Sequence, residues 1–259
     1  MLRSSLMAVF LAALGASPAV AQDQPFQWRG RLAEGQTIEI RGVMGDIDAV
    51  ASSDAIVLVE ASRRGRRSDP ESVRLEVVQH DGGVTICAVY PTPRNARRKN
   101  ECAPGGGSMS TQGNDVQVDF RVRVPAGVRF AGHTVNGDVA ADGLASNVLA
   151  ATVNGSVDVR TTGFAEASSV NGDITCRVGT NRFRDGVEFE TVNGSITVQM
   201  PDGLNADFRA STVNGSIDSD FQILVTGKVS PRSVRGTIGE GGPELRLSTV
   251  NGSIRLQKM

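Results

Sequence analysis

The chain has 259 residues, with 27 Lys and Arg against 28 Asp and Glu, 4% aromatics and 30 glycines. A formal net charge of −1 excludes a whole-protein attraction for nucleic acid or anionic lipid, so no nucleic-acid partner is expected. The shortage of aromatics excludes an ordinary large globular core and favours a thin one of Val, Ile, Leu and Ala.

In chain order, Arg3, the apolar stretch Leu6 to Leu14, the breakers Gly15 and Pro18, and Ala19-Val20-Ala21 come first. They predict a signal peptide over residues 1–21 and an exported protein, periplasmic, secreted or at the cell surface. The apolar run is far shorter than the roughly 20 residues a spanning helix needs, and no later run reaches that length, so no transmembrane segment is expected. Cleavage after Ala21 removes Arg3 alone, leaving 26 basic against 28 acidic residues.

Residues 22–115 read as a β-rich N-terminal region. Thr37 to Arg41 alternates and leads into Val43-Met44-Gly45-Asp46-Ile47, while Ile56 to Val59 has the length of a buried strand. Val73, Leu75 and Val77 alternate with polar residues before Asp81-Gly82-Gly83, and Val84 and Ile86 resume the pattern, as a β-hairpin does. Cys87 and Cys102 flank Pro91, Pro93, Arg94, Arg97, Arg98 and Lys99. In an oxidising compartment they are expected to pair and close a basic surface loop. Pro104 to Ser108 is a flexible loop. A second basic cluster holds Arg63, Arg64, Arg66 and Arg67. Both clusters read as solvated loops, or more sharply as contacts for an anionic envelope polymer.

Residues 116–259 carry the repeat. Val-Asn-Gly occurs six times, beginning at Val135, Val153, Val170, Val192, Val213 and Val250, with Val43-Met44-Gly45 and Val234-Arg235-Gly236 as variants. From Gly137 the motif glycines follow at steps of 18, 17, 22, 21, 21 and 16 residues. An apolar residue lies two beyond each glycine (Val139, Val157, Ile174, Ile196, Ile217, Ile238, Ile254), and a period-2 strand keeps it on one face. Such a unit predicts an all-β parallel β-helix of about 16–22-residue coils, each burying its apolar face against its neighbours. The alternative is an antiparallel meander or sandwich, in which Val187 to Thr191 pairs with Ser195 to Val198 across Asn193-Gly194.

Asn136, Asn154, Asn171, Asn193, Asn214 and Asn251 are expected to form a structural ladder at a coil corner, amide on amide, in the left-handed backbone region. Asp46, Asp138 and Asp173 follow the glycine in three copies and serine follows in others, too sparse a pattern for a calcium roll, so no metal or cofactor site is expected. Cys176 alternates with Ile174 and Val178 as a small buried apolar residue. His80 and His133 stand in separate contexts, and no G-x-S-x-G or HExxH occurs. No catalytic residues are assigned, and the protein is not expected to be an enzyme.

The pattern Val-x-Val-Pro-x-Gly (Val122 to Gly127) followed by Thr-Val-Asn-Gly-[Asp/Ser]-[Val/Ile] resembles the DUF4097 family of bacterial exported, adhesin-like repeat proteins, from about Thr37 to the C-terminus. The resemblance implies a β-helical architecture, carries no catalytic residues, and makes 22–259 one continuous unit. The Cys87–Cys102 basic loop departs from the family's plainer pattern. The reading is an exported, non-enzymatic adhesin-like or scaffolding β-solenoid of the cell envelope, with an envelope glycan or envelope protein as partner. The alternative is a carbohydrate-active β-helix enzyme, a lyase or hydrolase. Ser253 to Leu256 reads as an uncovered last coil, open to end-to-end self-association.

Overall fold

The structure, a computed structural model, describes residues 26–225 and 230–259; the signal peptide expected over residues 1–21 lies outside them. Strand β1 (Phe26–Gly30) precedes β2 (Thr37–Arg41), β3 (Ile47–Ser52) and β4 (Val57–Arg64). The hairpin β5 (Arg74–His80) and β6 (Gly83–Val89) follows, then β7 (Gln117–Pro125). Strand pairs come next: β8 (Arg129–His133) and β9 (Val139–Leu144), β10 (Val148–Ala151) and β11 (Val157–Thr161), β12 (Ala165–Ser168) and β13 (Ile174–Val178). After these come β14 (Val187–Glu190) and β15 (Ile196–Met200), β16 (Ala206–Ser211) and β17 (Ile217–Ser219). Strands β18 (Ile223–Val225) and β19 (Ser233–Ile238) lead to β20 (Glu244–Ser248) and β21 (Ile254–Lys258).

These strands form two sheets. The first runs β1-β4-β7-β3-β9-β11-β13-β15-β21-β17, the second β18-β19-β16-β20-β14-β12-β10-β8-β2-β6-β5. Each coil gives one strand to each sheet, and the Val-Asn-Gly bend carries the chain from the second sheet to the first. Coil neighbours pair in parallel, as Ile174 with Ile196 and Val157 with Ile174. Strands β14 and β15, which flank Asn193-Gly194, lie in different sheets. The meander is therefore not formed there, and antiparallel pairs are confined to the ends.

Stacking turns the sequence repeat into rows. Ile47, Val139, Val157, Ile174, Ile196, Ile254 and Ile217 are successive register partners in the first sheet. All but Ile217 are essentially inaccessible, and each such side chain contributes about 1.5–3 kcal/mol by leaving water. The next inward row places Cys176 between Val159 and Val198, fully buried, and burial pushes its thiol far above the ordinary cysteine range. The second sheet answers with Ala150, Ala167, Phe189 and Leu247, all buried, so the core is filled largely by aliphatic ladders.

Order in space departs from order in sequence at both ends. Strands β2 and β3, first of the coils, lie between β6/β7 and β8/β9, and β20 and β21, the last, lie between β14/β15 and β16/β17. The expectation that Ser253 to Leu256 is an uncovered final coil is therefore incorrect. Ile254 pairs with Ile196 on one side and Ile217 on the other. The edge of the first sheet on this side is β17, three residues long, which contains Asp218 and is followed by Asp220. Short, charged edges resist further pairing, while the longer apolar strands of the C-terminal coil are held from both sides.

Candidate functional site

The corner built by the repeat is a ridge of four parallel rows. In the first, the Asn Nδ2 of each coil donates to the Oδ1 of the coil before it: Asn154 to Asn136, Asn171 to Asn154, Asn193 to Asn171 (each 2.8 Å), Asn251 to Asn193 and Asn214 to Asn251 (each 2.7 Å). Among the described residues no non-glycine residue has a positive φ. The asparagines thus lie outside the left-handed region expected of them, and stacked extended corners do not need it. Glycine is required for another reason. A Cβ on Gly172 would stand 1.8 Å from the carbonyl oxygen of Gly155, and one on Gly194 would stand 2.0 Å from that of Gly172.

The second row was not singled out in the sequence. In the first copy Thr134 donates to the Gly45 carbonyl (3.1 Å), and in the other five the hydroxyl before Val donates to the Gly carbonyl of the neighbouring coil: Thr152 to Gly137 (2.8 Å), Ser169 to Gly155 (2.9 Å), Thr191 to Gly172 (3.0 Å), Thr249 to Gly194 (2.8 Å) and Thr212 to Gly252 (2.9 Å). All six are buried. Recurrence of Thr or Ser at that place in every copy was the available signal. The third row follows the glycine: Asp138 Oδ1 accepts from the Ser156 N–H and Asp173 Oδ1 from the Ser195 N–H, each at 2.7 Å. The fourth row is the motif valine, which faces solvent; Val135, Val153, Val170, Val192 and Val250 are between 36% and 39% exposed and Val213 54%.

The basic loops continue this ridge. Segment 90–116 takes the place of the Val-Asn-Gly bend between β6 and β7, and Cys87 and Cys102 are disulfide-bonded with a Cα separation of 5.6 Å. Buried Asn100 pins the loop through Nδ2 to the carbonyls of Tyr90 (3.0 Å) and Ser110 (2.7 Å). Strand β4 ends with Arg64 opposite Gln117, and the N–H groups of Arg67 and Ser68 donate to Asp115. The first cluster is thereby tied to Asp115, at the end of the segment that carries the second. Arg63 is paired with Glu71 and Arg64 with Asp119. Arg66, Arg67, Arg94, Arg97, Arg98 and Lys99 are exposed and form no salt bridge among the described residues.

Beneath the disulfide loop lies a buried carboxylate. Glu39 points outward from β2 yet is only 6% exposed. It accepts from Thr85 Oγ1 (2.7 Å), Gly105 N–H (2.9 Å) and Arg41 Nη1 (2.7 Å). His133 Nε2 is 3.7 Å from Glu39, and His80 Nε2 is 3.3 Å from the Thr85 hydroxyl. The two histidines, read as separate in the sequence, therefore meet around one carboxylate, because β2 lies between β6 and β8 rather than at the start of the stack. Burial opposes ionisation of Glu39, but the donors from Gly105, Thr85 and Arg41 outweigh it and hold the carboxyl below its ordinary range. Burial, helped by Arg41, pushes His133 below the ordinary imidazole value. Both Glu39 oxygens are taken and Thr85 is inaccessible, so the cluster fastens the loop to the sheet.

A further group of carboxylates gathers on the outer face of the first sheet. Asp46, Asp48, Glu60 and Asp119 line a depression of about 460 Å³ with Arg64 and Arg121. Burial, then the neighbouring Asp46, raises the pKa of Asp48. Asp119 Oδ1 accepts from the Asp46 N–H (3.2 Å) and Asp46 Oδ1 from that of Asp138 (2.9 Å). Among the described residues no group of three His, Cys, Asp or Glu is placed to hold a metal ion, and no helix is long and apolar enough to cross a membrane.

Two long sheets of stacked coils, registered by side-chain ladders at one corner, define an all-β solenoid-like repeat protein. The chain belongs to the Toastrack DUF4097 family, which it matches over residues 75–257. No curated protein matches it. Among solved structures it is similar to a "putative cell adhesion protein" from Clostridium sporogenes, at 10% identity over 91% of this chain and 100% of that one, with a TM-score of 0.45. It is also similar to a "putative adhesin" from Bacteroides fragilis, at 13% identity over 92% and 98% of the chains, with a TM-score of 0.36. Likenesses of this size carry no argument about what this chain binds.

Proposed function

We propose that the protein is an exported, non-enzymatic adhesin-like scaffold of the cell envelope, and that it contacts an anionic envelope glycan through its basic corner. The observation behind this reading is that Arg66, Arg67, Arg94, Arg97, Arg98 and Lys99 are exposed and form no salt bridge among the described residues, and that Asp115 ties the first cluster to the end of the segment that carries the second. Arg63 and Arg64 belong to the same polyanion cluster, but Glu71 and Asp119 already partner them. Exposed, unneutralised cations attract a polyanion at long range, and salt screens that attraction. The ladder asparagines, spent on one another, serve register rather than recognition. The test is capture of the mature protein on envelope fractions and on a purified acidic polysaccharide. Reversing Arg94, Arg97, Arg98 and Lys99 to glutamate is expected to weaken binding about tenfold or more and to flatten its salt dependence. Undiminished binding by that variant rejects the reading.

A second reading has one observation in its favour. Asp48, with its raised pKa, beside Asp46 and Asp119 has the makings of an acid and a carboxylate for glycosidic-bond cleavage. On that reading the chain degrades an envelope or extracellular polysaccharide, and Asp48→Asn abolishes the release of reducing ends. Absence of any release by the native chain across envelope glycans removes it.

A further inference from the structure

Six Asn-Gly sequences in one chain carry a chemical liability. Where an Asn precedes Gly, the unhindered Gly nitrogen can attack the side-chain amide carbon, and the rate depends on how freely the pair leaves its folded geometry. Five of the six pairs are bonded from both sides. The N–H groups of Gly137, Gly155, Gly172, Gly194 and Gly252 each donate to the Asn carbonyl of the next coil at 2.9–3.0 Å. Each of these glycines also accepts a hydroxyl from Thr or Ser, and each preceding Asn Oδ1 accepts an amide.

The sixth pair, Asn214-Gly215, is the last rung. Asn214 still donates to Asn251 through Nδ2, and its backbone still bonds to Val250 and Gly252. Among the described residues no coil stacks beyond it in the first sheet, and the Gly215 N–H, the Gly215 carbonyl and Asn214 Oδ1 have no partner. Gly215 is exposed, whereas the other five motif glycines are half-buried.

We propose that Asn214 is the chain's site of spontaneous deamidation and isoaspartate formation. The Gly215 nitrogen bonds to Asn214 Cγ, and the bond from Cγ to the amide nitrogen breaks. The proton lost by Gly215 leaves with that nitrogen as ammonia. Water then opens the succinimide at either carbonyl, giving aspartate or isoaspartate at 214. The sum consumes one water and releases one ammonia, with no oxidant or cofactor. The product removes the donor that Asn214 offers Asn251 and puts a negative charge beside Asp218 and Asp220, at the open edge of β17.

The test follows all six sites by peptide mass mapping and isoaspartate analysis while the intact folded chain is held in mildly alkaline buffer. A parallel sample in concentrated urea gives the rates without the fold. In urea the six sites are expected to convert at similar rates. In the folded chain Asn214 is expected to convert about a hundredfold faster than the other five, since three missing hydrogen bonds each lower the cost of opening by a factor of about five. Uniform conversion in the folded chain, earlier conversion at any other rung, or full protection of Asn214 while the urea sample converts would each overturn the proposal.

Discussion

At the residue scale, the four positions of Thr-Val-Asn-Gly have unequal work. Glycine is set by contact distance and asparagine by hydrogen bonding, and the two should respond differently to mutation. Gly172→Ala places a Cβ 1.8 Å from the Gly155 carbonyl oxygen, and backbone on both sides leaves it nowhere to move. A loss of about 3 kcal/mol or more is expected. Asn171→Ala breaks two exposed amide bonds and is expected to cost about 1–2 kcal/mol. Urea denaturation of both variants checks the order, and equal losses would contradict it. The Glu39 cluster gives a pH dependence. His133 titrates lower in the fold than in the unfolded chain, so the unfolded state binds more protons as pH falls below about 6.5, and stability declines. Glu39, also lowered, extends the decline from its ordinary value downward, while Asp48 and Glu166, both raised, act in the opposite sense from their ordinary values upward. Stability measured between about pH 7.5 and 5.5 should therefore fall, and His133→Gln should flatten that part of the curve.

At the element scale, the disulfide loop is an insertion at a corner that other coils close with five residues. It is held by the Cys87–Cys102 bond, by Asn100 and by the Gly105 N–H on Glu39. Closing a loop of 15 residues is worth about 3 kcal/mol, and little else in residues 91–113 is buried. Reduction is expected to open this segment to protease while the stack beyond β8 stays resistant. Cleavage spread evenly along the chain would contradict that. The Cys spacing and the Pro and Arg content made the loop visible in the sequence. Its anchor was not, because Glu39, Thr85, His80 and His133 meet only through the pairing of β2 with β6 and β8, which no local pattern encodes.

At the scale of the whole molecule, the solenoid was legible because the motif and the apolar residue two places on repeat in every coil. The order of the coils was not, because all copies present the same edge and any two could stack. Placing the last coil inside the stack means that the C-terminal strand β21 has a neighbour on each side, whereas β1 forms an outer edge of the first sheet. Fraying from the C-terminus, a usual weakness of a repeat array, is countered by the pairing of β21 with β15 and β17. The C-terminal coil then also decides which rungs are interior, and so which asparagine stands last. Paired cysteines at the motif valines read this order directly, because neighbouring strands lie about 4.8 Å apart and next-but-one strands about twice that, while a disulfide spans Cα atoms about 4.4–6.8 Å apart. The interleaved stack predicts that a chain with Val192→Cys and Val250→Cys cross-links under mild oxidation and that one with Val192→Cys and Val213→Cys does not. Cross-linking of the second pair and not the first would mean that the coils stack in sequence order, and would contradict the account.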